Sequence, residues 1–131
     1  MPVAVVALYA GLNALVGFAL AHNVMRVRRK TRTGLGAGGH TELEQAIRAH
    51  GNFVEYVPLI LLLMLLLALG GVSALWLHGL GVTLTLARIL HAWGLLSSPG
   101  RSFGRAAGAT LTSLVLLIAL IRCLALGVTA L

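Results

Sequence analysis

Apolar positions along the chain gather into four long runs, and the polar positions within them are few enough to read one at a time. The first run, Val3 to Ala21, holds only Tyr9 and Asn13 as clearly polar side chains. The second opens on a polar stretch, Glu42 to Tyr56, and turns wholly apolar from Leu59 to Leu69. The third, Ala74 to Leu96, carries His78, Arg88, His91 and Trp93, and the fourth runs from Ala106 to Leu126. About 20 apolar residues, at roughly 1.5 Å each, match the roughly 30 Å hydrocarbon core of a bilayer. Only helices and closed barrels satisfy their backbone groups there, and runs this long are helical in length. The pattern predicts an all-α, integral membrane four-helix bundle of up-down topology: a single domain, 1–131, with spans at about 3–21, 42–69, 74–96 and 106–126.

The connections agree with this division. Gly34-Leu35-Gly36-Ala37-Gly38-Gly39 lacks a preceding strand and the Gly-Lys-Ser/Thr ending of a phosphate cradle, so it reads as a flexible loop. Gly70-Gly71-Val72-Ser73 and Ser97-Ser98-Pro99-Gly100 form the other two turns. Thr41 is placed as an N-cap for helix two, with Glu42 and Glu44 favourably sited in its first turn. Pro58 predicts a kink inside that helix, tolerated where neighbouring helices satisfy the freed carbonyl. Val3–Ala21 has no positive segment before it and its charges follow it, so an uncleaved span is expected rather than a signal peptide.

Composition strengthens the membrane reading, since 59% of the residues are hydrophobic and 10% charged, against roughly half and a quarter in soluble domains. The net charge of +7 comes from ten basic residues and three acids. Arg26, Arg28, Arg29, Lys30 and Arg32 follow the first run, and Arg101 and Arg105 precede the fourth, whereas the second turn has no charge. The positive-inside rule then makes these loops cytoplasmic and puts both termini outside. Nucleic-acid binding is set aside, because it needs a basic surface on a soluble module; anionic lipid is the expected counterpart. Cys123, the single cysteine, forms no intrachain disulfide and reads as a buried, inert thiol.

One feature of helix two conflicts with a purely apolar span. Side chains three, four and seven apart share a helical face, so Glu44, Arg48, Asn52 and Glu55 form one polar stripe. Polar groups at membrane depth are costly without partners or a ligand. Arg48 to Glu55 lie roughly 10 to 20 Å from the start of helix two, and Arg88 and His91 roughly 10 to 15 Å before the end of helix three, so the two sets meet at one level. Two readings follow: ion pairs, Glu55 with Arg88 or Glu44 with Arg48, that neutralise each other in the bundle, or a ligand site on which five or six polar groups converge. No metal site is expected, since His50 lies across helix two from the stripe and no His-x-x-x-His is present.

The text Glu44-x-x-x-Arg48-Ala49-His50-x-Asn52-x-x-Glu55, then Tyr56-x-Pro58, and Ala87-Arg88-x-x-His91-Ala92-x-Gly94 on helix three resembles the MAPEG family, the membrane-associated proteins in eicosanoid and glutathione metabolism. Four spans of this length and order extend the resemblance over nearly the whole chain. It implies a homotrimer with glutathione held between neighbouring subunits near the cytoplasmic face. By position, Arg48, Asn52 and Glu55 look like the residues that hold glutathione, Arg88 and His91 complete the pocket, and Arg26 resembles a family arginine for the carboxylates. The family's thiolate-stabilising arginine or serine near the start of helix four has Arg101, Ser102 and Arg105 as its candidates. Leu95 stands where eukaryotic enzymes often carry tyrosine, and Gln45 and Gly51 replace basic residues of some of them; the chain looks more like the short bacterial branch, in which His91-Ala92 and an aromatic residue such as Trp93 recur. The implied function is a glutathione S-transferase or peroxidase of a bacterial inner membrane, acting on lipophilic electrophiles or lipid hydroperoxides. A non-enzymatic membrane protein binding another anionic or lipid-like ligand is the second hypothesis. A small multidrug-type exporter ranks last, because its customary carboxylate in the first span is missing.

Overall fold

The computed structural model describes residues 1–130, and among these the regular elements are four helices: α1 Pro2–Thr31, α2 Thr41–Leu69, α3 Ala74–Ser97 and α4 Phe103–Ala130. Each is long and apolar enough to cross a membrane. Helix α1 runs past Ala21 to Thr31, so Arg26, Arg28, Arg29 and Lys30 stand on its closing turns rather than in a loop. Cations there complement the exposed carbonyls at the negative end of the helix dipole. The helix closes with Arg32 in the left-handed region, φ 52°, and with the Thr33 N–H donating to the Arg28 carbonyl at 3.1 Å.

The start of α2 differs from expectation by one residue. His40 is the N-cap, Thr41 is the first helical residue, and no side chain caps the turn. Glu42 and Glu44 do occupy that turn, where the unpaired N–H groups favour acids. Helix α2 continues through Pro58 as one element.

Helix α1 packs on α2 and α3, while α4 packs on α3 and α2; α1 and α4 do not meet among the described residues. The bundle therefore has two separate flanks. Its core joins Val57, Ile60, Met64 and Leu67 of α2 to Leu77 and Leu84 of α3 and Val115 and Ala119 of α4. Lipid is as apolar as these side chains, so helix association rests on close packing and on small residues that permit it. Gly104 and Gly108 supply that for α3 against α4. A Cβ on Gly108 would stand 2.6 Å from the Ala87 carbonyl oxygen, the His91 Cβ and the His91 nitrogen. This close approach brings the polar side chains of α3 within reach of α4.

The isolated polar residues of the first run prove to be joined. Asn13, 0% exposed, donates through Nδ2 to Thr85 Oγ1 and to the Tyr9 carbonyl, both at 2.9 Å. The Tyr9 hydroxyl pairs with His78 Nδ1 at 2.9 Å. These bonds tie α1 to α3, the Asn13–Thr85 bond at mid-bundle and the Tyr9–His78 bond toward the end away from the basic cluster.

Candidate functional site

On α2 the residues Leu43, Ala46, Ala49 and Phe53 turn inward, with Val27 of α1 packed against Leu43 and Ala46, and this phase leaves Glu44, Arg48 and Glu55 exposed. Arg48 Nη1 lies 3.6 Å from Glu55 Oε1. Neither ion pair considered from the sequence, Glu55 with Arg88 or Glu44 with Arg48, forms among the described residues. The reason is azimuth: Arg88 sits on the buried side of α3, 1% exposed, while Glu55 points away from it.

Arg88 is held by neutral groups instead. Its Nη2 donates to Asn52 Oδ1 at 2.8 Å and its Nη1 to Thr112 Oγ1 at 3.3 Å. Nη2 also lies 3.3 Å from His91 Nδ1, and the Phe53 ring centre is 5.9 Å from the guanidinium carbon. Because a guanidinium only donates, His91 Nδ1 accepts, and a neutral ring then carries its proton on Nε2. No carboxylate among the described residues lies within 4 Å of Arg88, and its Nε has no partner there. A buried charge without a counter-charge costs several kcal/mol, so its retention reflects something other than packing. Replacing it by methionine, Arg88→Met, is expected to leave the melting temperature in detergent at or above that of the native protein while loosening Asn52 and His91. A drop of many degrees would make Arg88 a structural residue alone.

The start of α4 completes the site. Ser102 is its N-cap: the hydroxyl accepts from the Arg105 N–H at 3.3 Å and donates to the Gly94 carbonyl at 2.9 Å, pinning α4 to α3. Gln45 Nε2 donates to the Leu95 carbonyl at 2.8 Å, satisfying one of the open carbonyls at the end of α3. Around these anchors lie two clefts. One, of about 450 Å³, is lined by Asn52, His91, Arg101, Ser102 and Arg105 with Ala106 and Ala109. The other, of about 330 Å³, is lined by Thr41, Glu44, Gln45, Arg48, Leu95, Pro99 and Arg105. Arg105 borders both. Each volume falls in the range of about 300 to 1,000 Å³ usual for small-molecule sites. A further cavity of about 40 Å³, lined in part by Asn52, Tyr56, Arg88 and Thr112, lies beneath.

Most of the residues singled out from the sequence thus meet: Asn52, Arg88 and His91 in one hydrogen-bonded group, Arg101, Ser102 and Arg105 across the cleft from it, and Arg48 on the second cleft, while Glu55 lines neither cleft and joins them only through Arg48. Arg26 does not join them. It stands on the α1 flank, bonded to Asn23 Oδ1 at 2.9 Å and 3.9 Å from Glu42 Oε1, with Lys30 Nζ on Glu42 Oε2 at 2.6 Å. Thr112 was not anticipated, because nothing in the sequence sets it apart from its neighbours Thr110 and Ser113. Among the described residues no three His, Cys, Asp or Glu side chains cluster closely enough to hold a metal.

A model of the MAPEG family matches residues 6–125. The chain is similar to the inner membrane protein YecN of Escherichia coli strain K12, 41% identical over 88 residues that make up 67% of this chain and 67% of that protein. The protein of the same name from Escherichia coli O6:H1 strain CFT073 matches to the same extent.

Proposed function

The chain belongs to the MAPEG family, and from that premise we propose that it is a membrane-embedded glutathione-binding protein, a glutathione S-transferase or peroxidase acting on lipophilic electrophiles or lipid hydroperoxides. The observation that carries this reading is Arg105, which borders both clefts, so that Glu44 and Arg48 of α2 and the cations of α4 address one continuous region. Glutathione has two carboxylates, one amine and a thiol. Arginines suit the carboxylates, a glutamate suits the amine, and Asn52 and the His91 ring offer hydrogen bonds between them.

Assembly as a homotrimer is part of the proposal. Arg48 and Glu55 are exposed on a helix whose next turns expose Leu59, Leu62 and Leu66. Charges at that depth are disfavoured against lipid, and neighbouring copies of the chain would cover them. Arg26, on the far flank, would reach a glutathione only from a neighbouring copy, which suits a ligand held between subunits. We place the protein in the bacterial inner membrane, with an up-down bundle, the basic end cytoplasmic and both termini outside.

Isothermal titration of the detergent-solubilised protein tests the site. Glutathione binding is expected, weakened about tenfold by Arg48→Ala and by Glu55→Ala, each losing one charged hydrogen bond worth roughly 1.5 kcal/mol. Unchanged affinity in both variants removes the assignment. A second reading is a family-fold protein that binds without turnover, and one observation favours it: the Ser102 hydroxyl already spends its proton on the Gly94 carbonyl rather than facing a thiol. Binding of glutathione without consumption of chlorinated aromatics or hydroperoxides selects that reading.

A further inference from the structure

At the end of the bundle away from Arg26 and Lys30, two more clefts meet at Trp76, and neither belongs to the site above. One, of about 450 Å³, lies between the turn Gly70 to Ser73 and the α4 residues Arg122, Ala125 and Thr129. The other, of about 320 Å³, is an apolar groove between α3 and α4 lined by Leu80, Leu114, Val115 and Ile118. Trp76 lines both, and the Arg122 guanidinium carbon lies 5.4 Å from its ring centre.

Depth gives this junction its meaning. Counted from Phe103, Arg122 lies roughly 28 Å along α4, about the thickness of the hydrocarbon core. Trp76 is in the first turn of α3. A tryptophan and an arginine at that level stand where lipid headgroups begin. The Arg122 side chain is exposed and makes no hydrogen bond or ion pair with the described residues; it lies over the Trp76 ring.

The missing anion cannot come from side chains of this chain or of a second copy in the same orientation. The three acids, Glu42, Glu44 and Glu55, lie no nearer that end than the midpoint of α2, roughly 21 Å or more from Leu69. A planar guanidinium fork fits phosphate oxygens, and a phosphate esterified to acyl chains is the anion present at this depth. We propose that this junction binds a glycerophospholipid, its phosphate on Arg122 and one acyl chain in the groove between α3 and α4, with Trp76 packed where headgroup and chain join.

Native mass spectrometry of the protein in a neutral detergent, titrated with palmitoyl-oleoyl phosphatidylglycerol, tests this. The native protein is expected to retain the lipid, and Arg122→Gln to weaken retention at least tenfold. Leu114→Trp, which fills the groove from an exposed position and leaves Arg122 in place, is expected to weaken it comparably. Arg29→Gln, in the other basic region, is expected to change retention less than twofold. Three results overturn the proposal: retention unaffected by Arg122→Gln, displacement of the lipid by millimolar inorganic phosphate, which identifies a free-phosphate site, or dissociation of an oligomer in either variant, which identifies a second copy as the occupant.

Discussion

Gly108→Leu is expected to destabilise the protein by at least the upper end of the roughly 1 to 3 kcal/mol typical of overpacking, and to take the candidate site with it. The atoms a new Cβ would meet are the Ala87 carbonyl oxygen and the His91 nitrogen and Cβ, each at 2.6 Å. Backbone cannot rotate aside as a flexible side chain does, so α3 and α4 must part. Two bonds span that crossing: Arg88 to Thr112 at 3.3 Å and Ser102 to the Gly94 carbonyl at 2.9 Å. Parting the helices breaks both, leaving the buried Arg88 with fewer donors satisfied and the α4 N-cap adrift. Gly127→Leu is the matched control, on the same helix with nothing within 4 Å of a new Cβ. Thermal unfolding in detergent should separate the two by many degrees. Equal melting temperatures would mean that the α3–α4 approach is not what holds the site together.

The four helices were legible because long apolar runs admit few alternatives in a membrane, and the polar stripe because helical spacing is rigid. Helix ends were less so. Basic residues after Ala21 read as a loop, yet α1 carries them to Thr31, where long side chains reach water from a helix as readily as from a loop. Thr41 and His40 both fit the start of α2, and a hydroxyl alone did not decide between them. Partner choice within the site was the least legible. Counting residues at about 1.5 Å each gives depth but not azimuth. Depth put Arg88 level with Glu55, while azimuth gave Arg88 to Asn52 and Thr112 and gave Glu55 to Arg48. For the same reason Arg26, on the α1 flank, and Arg105, on the α4 flank, could not be told apart from sequence as lying on opposite sides of the bundle.

That azimuthal sorting decides how the three candidates at the start of α4 should behave when a thiol is bound. A nucleophilic sulfur must be held as thiolate, and a cation or a free hydroxyl proton can favour that form. The Ser102 proton is engaged with the Gly94 carbonyl at 2.9 Å, and its oxygen receives the Arg105 N–H at 3.3 Å. Arg101 and Arg105 are exposed to the cleft and make no ion pair among the described residues. Ser102→Ala is therefore expected to cost about 1 kcal/mol of stability through the lost cap while leaving the thiolate of bound glutathione largely in place. The double variant Arg101→Ala with Arg105→Ala is expected to do the reverse, with little change in melting temperature but loss of the thiolate absorbance near the ultraviolet edge. Turnover of an electrophile should then fall on the order of a hundredfold, the usual loss when a group stabilising a reacting anion is removed. Testing each arginine singly separates Arg105, which also borders the Arg48 cleft, from Arg101, which borders only the His91 cleft. Loss of glutathione affinity together with thiolate in Arg105→Ala, and of thiolate alone in Arg101→Ala, would divide binding from activation between them. A thiolate that survives the double variant and disappears in Ser102→Ala would return the role to the serine, at the expense of its bond to Gly94.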